Sequence, residues 1–292
     1  MQWVRHVDTK SPKRVLWLNI DETSIGLAPP HTRGLVVSKQ LWRLAPGGCV
    51  SEPATVVKKE DLRGAFTYMA VICSCQLLQQ ELPHMLIGCE AKLTRKLMKS
   101  MEDLPPSKLQ LVRQKSAWCN AANLVDYFKK LQVALAPYVE ILRPVVVLDV
   151  APSHLPEAVM RGAQECGLEL VYVPAGTTSI AQPLDVYGFR SFKSWLAREL
   201  QLLRPSIPAR SPISTKDLLG ILRRAPTDFF CRRHWDTAFR CLGVGPPHTW
   251  HTRLRRALPV DFVGVSGKLT VQQLEEIFPK KRRMEHAPEL LL

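Results

Sequence analysis

Four apolar residues, Val145-Val146-Val147-Leu148, run without a break into Asp149. A continuous apolar run of this length reads as a strand buried on both faces, so the chain must supply a covering layer on each side of its sheet. A carboxylate at the end of such a strand is expensive to leave unpaired. Either a cationic group meets Asp149 there, or the segment is not the strand it resembles.

The surrounding pattern supports a layered α/β chain. "VLWLNIDETSIGL" reads as a strand with Val15, Trp17, Asn19 and Asp21 on one face and Leu16, Leu18, Ile20 and Glu22 on the other, which turns Glu22 away from Asp21. "GAFTYMAVICSC" (64–75) and "PHMLIGC" (83–89) read as two further strands of a meander, with "QLLQQEL" as a loose hairpin connection. Residues 90–115 are charged and irregular in pattern. An amphipathic helix follows, with Leu124, Phe128, Leu131 and Leu135 at helical spacing and Asn120 placed as its cap. Strand 145–149, a helix from Pro156 to Cys166, the strand "LELVYVP" and the helical "GFRSFKSWLARELQLL" then alternate, which predicts parallel pairing through crossovers. Ser214 and Asp217 form a capping-box arrangement before "LLGILRR".

These signals divide the chain into a polar arm (1–12), an α/β domain (13–203), a proline-rich connector (204–213), a helical C-terminal appendage (214–278) and a basic tail (279–292). Lys and Arg number 40 against 26 Asp and Glu, a net charge of +14 that points to a polyanionic partner such as nucleic acid. Eight cysteines include no CxxC pair, which argues against a zinc ribbon and for reduced thiols in an intracellular protein. Cys73 and Cys75 share a strand face and read as core. No apolar run approaches the roughly 18–20 residues of a membrane span, and no membrane partner is expected. "PKKRRM" (279–284) reads as a nuclear-import signal or phosphate-binding tail, with a solvated surface run as the alternative, and the first of these places the protein in the nucleus.

Three carboxylates stand at strands or their exits: Asp21 in "NIDETS", Asp149, and Asp185 in "TTSIAQPLDVYGF". Converging carboxylates without a matching His or Cys cluster make an all-oxygen site, suited to Mg²⁺ or Mn²⁺ and poorly to zinc. Two such ions about 3.5–4 Å apart serve phosphodiester chemistry. Taken singly, each Asp is as readily a turn, cap or surface residue.

Three motifs together resemble the catalytic domain of the DDE-superfamily transposases of the mariner and pogo/Tigger kind. They are "NIDETS", "VVVLDVAPSH" against a strand-Asp-Asn-Ala-x-x-His pattern, and "VPAGTTSIAQPLDVYGFRSFK" against Pro-x-x-Thr-Ser-x-x-Gln-Pro-Leu-Asp followed by a helix. Asp149 and Asp185 lie 36 residues apart, a separation like that in such enzymes, and "HWDTAFRCLGV" (234–244) is weakly similar to a terminal helix. The resemblance implies an α/β RNase H-like fold, a mixed five-stranded sheet with flanking helices. It further implies Asp21, Asp149 and Asp185 as the catalytic, metal-binding triad, two Mg²⁺ or Mn²⁺ ions and DNA as partner; a homodimer is one assembly open to the chain, whose oligomeric state the sequence does not fix. Val150 stands where the family has Asn, and the family's N-terminal helix-turn-helix domains are not matched. The reading is therefore a metal-dependent DNA endonuclease or strand transferase, with a catalytically silent, domesticated DNA-binding protein as its alternative.

His154 fits the family's histidine, to orient a phosphate or to organise the helix after it, and Glu22 follows Asp21 as in the family; both are candidate supporting residues. Trp118 suits either a helix-entry aromatic or a base-stacking one. "AGTTS" (175–179) lacks the frame of a phosphate loop and reads as a turn. Arg190 and Lys193, with Arg198 further along, give the helix after Asp185 a basic face against which a DNA backbone could lie.

Overall fold

The computed structural model describes residues 13–26, 66–102, 104, 107–174, 176–203 and 213–242. The polar arm, all of the connector but Ile213, the tail with "PKKRRM", and Ala175 of the "AGTTS" turn lie outside the described residues.

The first strand, β1 (Arg14–Ile25), is followed by β2 (Phe66–Cys73), a short helix α1 (Gln76–Gln79), β3 (His84–Cys89), α2 (Arg95–Glu102) and β4 (Leu109–Gln114). Next come α3 (Ala121–Leu135), β5 (Leu142–Asp149), α4 (Glu157–Glu165), β6 (Glu169–Val173) and α5 (Thr178–Ala181). A π-helical turn, Leu184–Gly188, leads into α6 (Phe189–Leu203), and α7 (Thr215–Ala225), a second π turn (Pro226–Phe230) and α8 (Asp236–Cys241) complete the described chain. The strands form one sheet in the order β4-β3-β2-β1-β5-β6. β1, β2 and β3 are an antiparallel meander, while β5 and β6 continue it in parallel on the far side of β1. A meander flanked by parallel strands on the side of β1, with helices on both faces, is the RNase H-like arrangement.

The sheet has six strands among the described residues where five were expected. The sixth, β4, pairs in parallel with β3 at the sheet edge, and with α2 it occupies the stretch read as irregular. Both hide in the sequence for a physical reason. β4 is an edge strand with a single buried residue, Leu109, so it lacks the alternation of a half-buried strand. α2 buries only Met101, and its start is marked only by Thr94, whose Oγ1 accepts the Leu97 N–H at 3.2 Å. The "QLLQQEL" connection is likewise not loose. Gln79 is buried, accepts the Cys73 N–H at 2.9 Å and donates to the Val71 carbonyl at 3.0 Å, so it satisfies the end of β2. Cys73 lies in the core, whereas Cys75 sits past the strand end, half-buried.

Alternation along β1 sorts its side chains as the sequence predicts. Leu16, Leu18 and Ile20 join Met69, Val71, Val146 and Leu148 beneath α3 and α4. Trp17 joins Tyr68, Val145 and Val147 beneath α6, α7 and α8. In that second layer Tyr68, Phe192, Phe229 and Phe230 make a cluster with ring centroids 4.9–5.9 Å apart. The C-terminal helices therefore share the core of the sheet. Asn120 caps α3 through a reciprocal capping box with Asn123, and Ser214 accepts the Asp217 N–H at the start of α7.

Candidate active site

Asp21 lies in the middle of β1, opposite Ala70 of β2, and its side chain takes the α6 face of the sheet. Asp149 is the last residue of β5, paired with Val173, two residues past Val147 on the same face. Asp185 comes from a different layer, the π turn that precedes α6. Strand centre, strand end and helix entry thus bring three carboxylates from 21, 149 and 185 within electrostatic reach of one another. Asp21 is 7% exposed, and burial is the main reason its carboxyl titrates well above the ordinary carboxylate range. The charges of Asp185, Glu22 and Asp149 push it the same way, while the Glu22 N–H, donating to its Oδ1 at 2.7 Å, opposes them. Asp185 is exposed on one side and is also raised, by partial burial and then by Asp149, with Lys193 pulling it back.

Asp149 behaves in the opposite way. Burial alone would raise it, but His154 outweighs burial and, with the Ala151 N–H at 3.2 Å, holds Asp149 below the ordinary range. His154 is fully buried, and its Nδ1 lies 2.6 Å from Asp149 Oδ1 and 3.2 Å from the Asp149 carbonyl oxygen. Its Nε2 lies 3.1 Å from Glu22 Oε1. Burial disfavours a charged imidazole, yet two carboxylates at its two nitrogens raise it from 6.5 to about 10, so the ring carries both protons at neutral pH. The Tyr172 hydroxyl fixes the same residue by donating to the His154 carbonyl at 2.9 Å.

This cluster amends one expectation. Strand alternation does turn Glu22 away from Asp21, but Glu22 still reaches the site, because His154 at the sheet end bridges from Asp149 to the opposite face. His154 is therefore tied to Asp149 and Glu22 beyond any service to the following helix, whose cap position is Pro156 and lacks a side-chain cap. Trp118 is 80% exposed and is not a buried helix-entry aromatic.

Sequence reasoning gave Asn19 no role in the site. Asn19 sits two residues before Asp21, fully buried, and its Nδ2 donates to the Val147 carbonyl at 3.0 Å while its Oδ1 accepts the Leu184 N–H at 2.8 Å. A polar side chain on the inward face of an apolar strand was the available signal.

The basic residues divide. Arg190 and Arg198 line a groove of about 340 Å³ with Ser191, Ser194, Trp195 and Arg233, whose guanidinium stacks 4.4 Å over the Phe229 ring. Lys193 is not among the groove residues; its charge acts on Asp185. Arg233, from the turn before α8, is an addition from distant sequence.

Oxygen donors from three carboxylates, one buried and destabilised by the other two, suit a hard divalent cation in kind and in charge. Among the described residues no three His, Cys, Asp or Glu side chains are gathered closely enough to hold one ion together.

The family profile described as DDE superfamily endonuclease matches residues 67–215, half of the 292-residue chain. The chain belongs to the DDE superfamily endonucleases. The matched span contains Asp149, His154 and Asp185 and begins after Asp21. Solved structures similar to this endonuclease-family chain include a Mos1 transposase paired-end complex with left transposon end, 16% identical, covering 82% of this chain and 58% of that one at a TM-score of 0.39. The Mos1 strand transfer complex is 14% identical over 83% of this chain and 56% of that one, TM-score 0.43. The Mos1 transposase catalytic domain with raltegravir and Mg is 15% identical over 82% of this chain and 88% of that one, TM-score 0.33. The chain thus spans less than two thirds of the first two. No curated protein matches the chain. Among the described residues no helix is long and apolar enough to cross a membrane.

Proposed function

We propose that this DDE superfamily member is a metal-dependent DNA endonuclease or strand transferase in which Asp21, Asp149 and Asp185 hold Mg²⁺ or Mn²⁺. The observation that carries the proposal is the convergence of carboxylates from β1, β5 and the π turn, where Asp21 is raised by burial and by the charges of Asp185 and Asp149, and Asp185 by partial burial and Asp149. A packed core has no use for such a cluster, and a divalent cation removes its cost. Bound there, two ions would activate the attacking oxygen of water or a 3′-hydroxyl and steady the leaving oxygen of a phosphodiester.

The chain's own residues prepare that chemistry. His154, charged and held by Glu22, keeps Asp149 ionised and fixes the rotamer of its carboxylate. Lys193 favours the ionised form of Asp185. Arg190, Arg198 and Arg233 offer guanidinium groups to backbone phosphates along α6, which rises about 12 Å between residues 190 and 198, roughly three to four base-pair steps of one strand. These contacts would carry no base sequence information. In this proposal residues 13–203 carry the three acids, over a core that α7 and α8 share, and a nuclear site of action accompanies it.

Val150, where the resemblance expects Asn, favours a second reading in which the domain binds DNA and no longer cleaves it. The test is to incubate the purified protein with supercoiled plasmid and Mg²⁺ or Mn²⁺ beside Asp149→Asn. Nicking by the parent and not by the variant supports the nuclease. Salt-sensitive binding by both without nicking supports the silent reading and overturns the first.

A further inference from the structure

Asp185 reaches the site from a π turn, a segment whose hydrogen bonding is irregular and which a regular sheet cannot by itself position. The Asn19 side chain bonds at once to β5 and to this turn. In the parallel pairing of β1 with β5, Asn19 is the partner of Val147, so its Nδ2 meets the Val147 carbonyl across the ladder at 3.0 Å. Its Oδ1 leaves the sheet and accepts the Leu184 N–H at 2.8 Å, a bond that spans 165 residues of sequence. Asn19, Val147 and Leu184 precede Asp21, Asp149 and Asp185 by two, two and one residues. One buried carboxamide therefore touches all three acid-bearing segments next to their acids. A hydrocarbon of the same size would fill this place in the core without leaving β1 a polar group to bury, so packing does not call for Asn here.

We propose that Asn19 is a positioning residue that holds the Asp185 turn in register with Asp21 and Asp149; this rests on the reading of those three aspartates as a metal-binding triad. An amide suits the task because it donates to one segment and accepts from another in a single plane. Asp in its place keeps the acceptor for Leu184 but sets a carboxylate against the Val147 carbonyl, and Leu keeps the volume and loses both bonds.

The test compares the parent, Asn19→Leu, Asn19→Asp and Asp185→Asn, alone and in the Asn19→Leu/Asp185→Asn pair. Amide hydrogen exchange is followed at Leu184 and at Val71 in β2, and Mn²⁺ affinity by calorimetry. Expected are exchange at Leu184 at least tenfold faster in Asn19→Leu with Val71 unchanged, and a tenfold or greater loss of Mn²⁺ affinity that does not deepen when Asp185→Asn is added. Rescue by Asn19→Asp of the Leu184 protection, without rescue of Val147 bonding, is the accompanying signature. Unchanged Leu184 exchange in folded variants, or affinity losses that simply add, overturns the proposal. If neither variant folds, a scalar coupling in the parent between the Leu184 nitrogen and the Asn19 side-chain carbonyl carbon decides it, and its absence is the refutation. A parent that binds no Mn²⁺ at all sinks the triad reading, while Leu184 exchange still judges whether Asn19 positions the turn.

Discussion

His154→Asn in the metal-free protein separates a charged histidine from a neutral one. In the folded state the ring titrates at about 10 against an ordinary 6.5, so between these limits the native protein keeps a proton that the unfolded chain has released. Stability from this group is complete below pH 6.5 and falls as pH rises toward 10, by about 1.4 kcal/mol per pH unit. Removing one partner of a buried ion cluster typically costs about 3–5 kcal/mol. Glu22 and Asp149 retain side-chain exposures of 17% and 26%, and screening by that water moves the value toward the lower end. Urea unfolding of parent and variant in EDTA at pH 7, 8 and 9 measures the difference, in which titrating groups that His154 does not touch cancel. We expect the variant to be less stable by about 3 kcal/mol at pH 7, with a gap that closes by about 1.4 kcal/mol per pH unit. A gap that stays constant from pH 7 to 9, or nitrogen-15 shifts of a neutral imidazole in the parent at pH 8, refutes the doubly bonded imidazolium.

Asp21→Asn keeps an Oδ1 acceptor for the Glu22 N–H but removes a buried charge that Asp185, Glu22 and Asp149 oppose. Its raised pKa means that the parent loses stability as pH climbs, so the variant should melt higher than the metal-free parent at pH 8 and, on the proposed metal site, should lack the Mg²⁺-dependent thermal shift expected of the parent in calorimetry. Arg198→Ala should flatten the plot of log binding constant against log salt for a DNA duplex by about 0.9 for each phosphate that the side chain neutralises, equally for unrelated sequences; a sequence-dependent effect contradicts backbone binding. Asn120→Ala removes the α3 capping box and should cost about 1 kcal/mol in urea unfolding, without altering plasmid nicking.

Much of the architecture was legible because its signals are local. The apolar run of β5 is buried from Pro144 to Leu148, α3 shows its 3.6-residue stripe and its Asn cap, and alternation along β1 sorted Trp17 from Leu18. β4 and α2 were not legible, because an edge strand with one buried residue and a helix with one buried residue leave almost no hydrophobic imprint. Val150 is half-buried, and nothing in the structure explains its departure from the family's Asn.

The positions of the acids along the chain and the chemistry their oxygens suit follow from residue types and spacing alone, since side-chain donors and strand ends are written locally. Which groups answer those acids was settled only in three dimensions. Glu22, aimed at the far face by its strand, returns to Asp149 through His154, and Asn19 joins segments separated by 165 residues. Such bonds depend on register between distant strands and on the path around a sheet edge, and neither quantity has a period that a sequence can display.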